Sequence, residues 1–408
     1  MTEVGGAAPA RSRVRRLNPW RGLGGLPRDV WTICLASFVN RAGTMVLPFL
    51  ALYATQERGL GARQAGYVVT AFGLGSLIAS PFAGRLADAV GALPVLRVSL
   101  FASGALVFVL ASVHGFAALI VVTFLWAMAT DAFRPASFAA ISHLVTPEKR
   151  KPAFTLYRLA ANAGMSIGPA AGGLLAAHAF RTLFWVDGAT SLLAGLVLAI
   201  APLHIQAGKH DGATAQAHAA SPLRDPRLLY FLVALLPILL VFFQHNATLP
   251  LHLVRTLSFP ASAVGFLLTL NTVMILLVEV PLSTATAKWR PSRVLPLGAA
   301  FAALGYGAMA FANDALAVAA TVVLWTFGEM ILFPGSSTYV AETSAPARRG
   351  AAMGMYTMSF GLAATIAPWL GTQAMDRYGA TAFWLGAGAV GCLSVLLLSR
   401  VRGGPKTS

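Results

Sequence analysis

Along the chain, apolar runs alternate with short breaks of Gly, Pro and charge. The runs fall near 30–53, 65–86, 95–113, 116–140, 152–177 and 183–203. Six more follow near 229–254, 262–286, 294–312, 316–341, 350–374 and 380–400. A helix rises about 1.5 Å per residue and the hydrocarbon core of a bilayer is about 30 Å thick, so each run is of crossing length. The pattern predicts an all-α membrane protein with twelve transmembrane helices. Between the two sets lies 204–227, HIQAGKHDGATAQAHAASPLRDPR, whose Ala, Gly, Ser and charge content reads as a flexible linker, with Pro222 and Pro226 discouraging helix. The expected organisation is a basic tail (1–28), a first six-helix bundle (29–203), the linker (204–227), a second bundle (228–400) and a short tail (401–408).

The two halves overlay at one offset of 199 residues, without a gap over about 120 positions. Gly66 meets Gly265, Thr70 meets Thr269, Trp126 meets Trp325, Pro135 meets Pro334 and Ser137 meets Ser336. Tyr157 meets Tyr356, Pro169 meets Pro368, Gly172 meets Gly371 and Phe184-Trp185 meets Phe383-Trp384. Chance matches are common among Ala and Leu, but not among Pro, Trp and Tyr in one register. The duplication predicts two pseudo-symmetric six-helix bundles, related by an axis along the membrane normal, with a cavity between them. Such an architecture belongs to a transporter.

Composition agrees with the pattern. Of 408 residues, 57% are hydrophobic and 11% charged, against about 25% charged in soluble domains. The net charge of +16 would raise the question of nucleic acid in a soluble protein. Here topology explains it. If the chain starts in the cytoplasm, the cytoplasmic segments hold 22 of the 30 Lys and Arg, including Arg11, Arg13, Arg15, Arg16, Lys149, Arg150, Lys151, Arg348 and Arg349. The outer loops hold five: Arg58, Arg63, Arg181, Arg255 and Arg377. That bias places both termini in the cytoplasm, and anionic inner-leaflet lipid accounts for the charge without a nucleic acid partner. Cys34 and Cys392 are read as buried packing residues, with no metal or disulfide spacing. The run from Val30 to Tyr53 is too long for a signal peptide and is the first span. His204, His210 and His218 in the linker are too irregularly spaced for a metal site. No metal, no cofactor and no enzymatic cluster is expected.

Ionised side chains at the bilayer centre cost about 2.5–3.5 kcal/mol each on insertion scales, so those present are expected to face protein or water. They are Arg41, Asp131, Arg134, Arg158, Glu279 and Glu329, with Asp187 nearer the outer edge. Asp131 and Arg134, three apart on the fourth span, share a helical face and are expected to pair, which holds the carboxylate ionised. The pair is either a structural bridge or an anion-binding or gating device around Arg134. Glu279, in VEVP, and Glu329, in FGEMILFP, have no basic residue within four positions. In apolar surroundings such acids can take up and release a proton, or sit neutral and hydrogen-bonded to a neighbouring helix. His245, Asn246 and Asn271 are expected partners in the same half, and Arg41 and Arg158 are expected to line the cavity. The fifth span carries Gly164, Gly168, Pro169, Gly172 and Gly173, a stripe that allows close helix approach and a bend.

These residues resemble the major facilitator superfamily, and within it the twelve-span drug:proton antiporters. GxxxGPxxGG at Gly164 to Gly173 is similar to the antiporter motif of that group's fifth helix. The segment from Gly84 through Asp88 to Gly91 resembles the superfamily's loop between helices two and three, although Ala92-Leu93-Pro94 stands where basic residues usually follow. The resemblance implies that Asp88 latches the cytoplasmic side against the amino end of the eleventh helix near Gly350. It also implies a role in proton transfer for Arg134. The function so implied is a proton-coupled exporter of small amphipathic compounds or drugs in the inner membrane, with a small-molecule substrate, protons and membrane lipid as partners, acting as a monomer. Export or facilitated passage of a metabolite such as a sugar or amino acid, and a non-transporting sensor or scaffold, are the alternatives.

Overall fold

The computed structural model describes residues 25–203, 225–286, 289–345 and 348–401, apart from the side chains of Ser80, Asp88, Pro147, Glu148 and Lys151. Most of the tail 1–28, the linker histidines and the C-terminal tail therefore lie outside the described residues. The first half contains α1 (Arg28–Gln56), α2 (Ala62–Val90), α3 (Ala92–Ser112), α4 (Phe116–Leu144), α5 (Pro147–His178) and α6 (Phe180–Ile200). The second contains α7 (Pro226–Phe242), α8 (Ala261–Thr286), α9 (Pro291–Ala308), α10 (Ala315–Thr343), α11 (Arg349–Tyr378) and α12 (Ala380–Ser399). No strand occurs among the described residues. Ten of these helices have the length and composition to cross a bilayer by themselves. The other two, α5 and α11, have 32 and 30 residues, and they are counterparts in the repeat. Both interrupt their apolar sequence with Gly, Ser, Thr and charge because both run along the seam between the halves rather than against lipid.

That seam follows the repeat. At the end opposite the chain termini, Gly66 of α2 lies against Thr372 and the Pro368 carbonyl of α11, while Gly265 of α8 lies against Gly173 and the Pro169 carbonyl of α5. These are the same two contacts shifted by 199 residues. Toward the end that carries the termini the halves part: a methyl group added at Gly84 or Gly354 would meet nothing within 4 Å, and the Arg158 side chain is 68% exposed. The protein is thus closed at one end and open at the other.

The first span is not continuous. It comprises Arg28–Ala42 and Val46–Gln56, interrupted at Gly43-Thr44-Met45. The counterpart positions 242–244 are where α7 gives way to a 3-10 turn (Phe243–Asn246), a short helix (Thr248–Leu251) and a π turn (His252–Thr256). A break inside a bilayer exposes orphan backbone donors that need partners. Asp187 of α6 supplies them: its Oδ2 accepts from the backbone N–H of Met45 (3.0 Å) and Val46 (3.1 Å), and Pro48 has no N–H to satisfy. Asn40 donates to Ser191 one turn further along α6, at 3.1 Å. Asp187 is only 4% exposed, so it faces protein as the cost of lipid exposure requires. Removing it leaves two buried N–H groups without acceptors, so Asp187→Ala is expected to cost about 1–3 kcal/mol. Asp187→Asn, which keeps an acceptor oxygen, is expected to retain most of the stability. Thermal unfolding in detergent checks both.

The stripe on α5 packs into the same break. A methyl group at Gly164 would lie 2.6 Å from the Phe38 carbonyl oxygen, and one at Gly168 would lie 3.0 Å from that of Thr44. At Gly172 it would meet Met45 Cβ at 3.1 Å, and at Gly173 the Gly265 Cα at 3.0 Å. One helix therefore clasps the interrupted span of its own half on the face of Gly164, Gly168 and Gly172, and the opposing half through Gly173 on another.

Three expectations are corrected. Pro226 does not oppose helix: it occupies the first turn of α7, where its missing N–H is harmless, and Asp225 caps that helix by accepting from Arg227 (2.9 Å) and Leu228 (3.3 Å). Cys392 is exposed on α12 rather than buried, while Cys34 is buried. Asp131 takes its hydrogen bond from Ser76 Oγ on α2, and among the described residues no ion pair joins it to Arg134. Arg134 instead is exposed, with its guanidinium carbon 5.9 Å from the centre of the Phe138 ring one turn on, so its charge is turned away from Asp131 along the helix.

A carboxylate flanked by aromatic rings in the central crevice

On α10, Trp325, Glu329 and Phe333 recur every four residues and so occupy one face. Glu329 is half-buried between the two rings in sequence. Its Oε2 accepts from Asn271 Nδ2 of α8 at 2.9 Å, and the same amide nitrogen donates to Thr326 Oγ1 at 3.0 Å. The Thr326 hydroxyl spends its own proton on the Val322 carbonyl at 2.6 Å, so it can only accept from Asn271. That chain fixes which way the amide points. Asn271 therefore presents a donor to Glu329, a contact compatible with either the neutral or the ionised acid.

Aromatic rings pack on one another around Trp325 and Phe333, the residues that flank Glu329 on this face. Phe242, at the end of regular α7, packs on Phe333 (4.9 Å between ring centres) and Trp325 (6.0 Å). Phe360 of α11 packs on Phe333 at 5.0 Å and on Phe243 at 6.3 Å. Tyr306 of α9 stacks on Trp325 at 5.4 Å and anchors its hydroxyl on the Phe242 carbonyl at 2.8 Å. His245 lies nearly parallel to Trp325, 6.4 Å away, with Nδ1 against the Phe242 carbonyl at 2.7 Å. The Phe242 carbonyl, at the end of regular α7, is thus shared by side chains from the 3-10 turn and from α9. Asn246 is half-buried in the same turn. The wall as a whole was missed from the sequence, although Trp325, Glu329 and Phe333 at helical spacing, and Tyr356 with Phe360, carry its signal.

Glu279, two turns beyond Asn271 on α8, is placed differently. Its Oε1 lies 4.0 Å from Arg158 Nη2 of α5, so it faces a guanidinium of the other half rather than an apolar surround. No spacing within one helix reveals a partner across the repeat. At 4.0 Å, with Arg158 mostly exposed, the pair is loose and weakly stabilising. Arg41 is half-buried beside the break in α1, its Cβ 2.8 Å from a methyl placed at Gly164. The structure thus brings together Glu329, Asn271 and His245 with the aromatic wall, pairs Glu279 with Arg158, and sets Asp131 and Arg134 apart in the first half. Gly91 makes the α2–α3 turn at φ +91°, a backbone that favours glycine. Asp88 itself has its side chain outside the described residues.

The family model of the Major Facilitator Superfamily matches residues 33–261 and 245–408, essentially the whole bundle pair. The chain belongs to this superfamily. This superfamily member is 28% identical over 368 residues to the MFS-type transporter YqjV of Bacillus subtilis, covering 86% of this chain and 87% of that protein. A shorter match, 28% over 160 residues, joins it to the quinolone resistance protein NorA of Staphylococcus aureus, covering 39% of this chain and 41% of that protein. The nucleoside transporter NupG superposes with a TM-score of 0.79 at 14% identity, over 91% of this chain and 99% of its own. A D-xylose-proton symporter superposes at 0.72 and 16%, over 93% and 98%. At those identities the solved structures establish the fold. The chain is a multi-pass membrane transporter of the superfamily.

Proposed function

We propose that this transporter is a proton-coupled exporter of small amphipathic compounds, with Glu329 as the coupling carboxyl group. The observation that carries the reading is an acid held by a neutral amide of α8, with no basic partner among the described residues, on the face of α10 that also carries the packed rings of Trp325 and Phe333. Aromatic faces attract apolar and cationic groups, and a carboxylate among them favours an organic cation over a neutral sugar. One site cannot hold both a proton and a cation on the same carboxylate, so binding of either expels the other. Directional exchange needs only that the crevice open alternately to the two sides while the 29–203 and 228–400 bundles rock about their seam. Glu279 has a second role: its 4.0 Å pairing with Arg158 is an attraction between the halves that rocking must break and remake. Asp131, fixed by Ser76, positions α2 against α4. The charge split between loops supports an inner-membrane protein with cytoplasmic termini, so the open end faces the cytoplasm, where an exporter loads. The local similarity to a quinolone resistance protein supports the substrate class.

The test is transport by liposomes containing the protein, with an imposed pH gradient and a panel of fluorescent organic cations, neutral sugars and amino acids. The expected result is uphill movement of organic cations that collapses with the gradient. Gradient-independent flux, or sugar transport without cation transport, contradicts it. Exchange of one proton for one monovalent cation moves no net charge, so the pH gradient alone drives it, at about 1.4 kcal/mol or roughly tenfold accumulation per pH unit.

A further inference from the structure

Away from the crevice, at the closed end, the first half contains a cavity of about 190 Å³ lined by Tyr53, Glu57, Arg58, Ala111, His114 and Arg181. Only five Arg and Lys residues occupy the loops at that end, and two of them meet here. The niche is built rather than incidental. Gly59, at φ +66°, ends α1 so that the Arg58 and Leu60 N–H groups return to the Tyr53 and Ala54 carbonyls at 3.2 and 3.0 Å. This turn directs Arg58 inward. Its Nε donates to the hydroxyl of Tyr53, which is 1% exposed, at 2.7 Å, and its Nη2 donates to the Ala111 carbonyl at 2.7 Å. The guanidinium also lies 5.0 Å from the Tyr53 ring centre.

Two of its five N–H donors are thus committed, and three remain for a ligand. Arg181, exposed in the first turn of α6, brings a second guanidinium and the positive end of that helix's dipole. Glu57 lines the same cavity, yet among the described residues it closes no ion pair with either arginine. A purely anionic ligand would be repelled by that carboxylate. A ligand carrying a phosphate and an ammonium group a few ångströms apart would satisfy both signs.

We infer that this niche binds a zwitterionic amino-phosphate group, its phosphate on Arg58 and Arg181 and its ammonium on Glu57. Its height, at the ends of α1 and α3 where a helix leaves the hydrocarbon, is that of lipid headgroups. A phosphodiester lipid bearing a primary amine and a soluble amino-phosphate share this chemistry. The site is separate from the crevice and does not depend on which substrate the transporter carries.

Native mass spectrometry of the protein from nanodiscs containing equal phosphatidylethanolamine, phosphatidylcholine and phosphatidylglycerol tests the inference. Phosphatidylethanolamine should be retained preferentially. Arg181→Gln is expected to weaken its retention about tenfold, the scale of losing one charge-assisted hydrogen-bonded contact. Glu57→Gln should erase the preference over phosphatidylglycerol while leaving phosphate binding. Both residues are exposed, so thermal unfolding should be unchanged, and that control separates lost binding from misfolding. Glycerophosphoethanolamine added to lipid-depleted protein distinguishes the sources: saturable binding at submillimolar concentration, sensitive to the same two substitutions, marks a soluble ligand, and retention of the lipid alone marks a headgroup site. Equal retention of the three lipids together with no glycerophosphoethanolamine binding, or selectivity that survives both substitutions, overturns the inference.

Discussion

Glu329→Gln is expected to abolish proton-driven accumulation while leaving the protein folded. The amide keeps the size of the side chain and still accepts from Asn271, so the hydrogen bond to α8 at 2.9 Å has a counterpart. What it loses is the exchangeable proton and the negative charge. Accumulation should fall from roughly tenfold per pH unit to the level set by passive exchange. Affinity for organic cations should fall by about tenfold or more, the loss of a charge pair shielded from water. Asn271→Ala should give a milder defect, because it removes the donor and the Thr326 relay but not the carboxyl group. Uptake into inverted vesicles, beside equilibrium dye binding, separates the two effects. A Glu329→Gln protein that still concentrates dye against a gradient moves the coupling role elsewhere.

Gly265→Val is expected to be as damaging by a mechanical route. A Cβ at this position would collide with the Pro169 carbonyl oxygen and lie 2.9 Å from Gly173 Cα, both backbone atoms of the opposing half that cannot step aside. Overpacking of this kind costs about 1–3 kcal/mol. The cost falls only on the state in which this end is closed, so the balance between closed and open shifts by up to roughly a hundredfold. Transport should drop accordingly. The distance between spin labels at R63C on α2 and R377C on α11, with C392S to remove the exposed native thiol, should lengthen. Gly386→Ala is the matching control, since a methyl there meets nothing within 4 Å. The repeat predicts the same outcome for Gly66→Val, which meets the Pro368 carbonyl at 3.0 Å.

The features most legible in the sequence were those carried by periodicity and by the repeat. Twelve apolar runs and one register pointed to the two bundles, and the small residues of α5 to a close helix approach, because backbone approach leaves small residues as a visible trace; which helix approaches was not written there. Glu329 with Asn271 was legible because a polar residue in an apolar run has few roles. Partners that come from other helices were not. Asp131 stands three residues from Arg134, yet Ser76 of α2 holds it, since a side chain on a long helix chooses among neighbours that sequence spacing does not rank. Asp187 read as an acid near an edge, and its work as a cap became visible only once the break at Gly43 to Met45 was seen beside it. The same holds for Glu279, whose guanidinium lies in the other half of the repeat. Aromatic residues are frequent in any membrane helix, so the wall formed by Phe242, Phe333 and Phe360 did not stand out until three helices and a 3-10 turn converged.

Competition between proton and substrate at one carboxyl group is the centre of this account, and it can be measured without any gradient. Purified protein in weakly buffered detergent solution, near the pH at which its coupling acid is half protonated, is mixed with a transported organic cation while a pH dye is recorded. The account predicts stoichiometric proton release that saturates with substrate and disappears in Glu329→Gln. Tight substrate binding without proton release at any pH between about 5 and 9, or release undiminished in that variant, would contradict it.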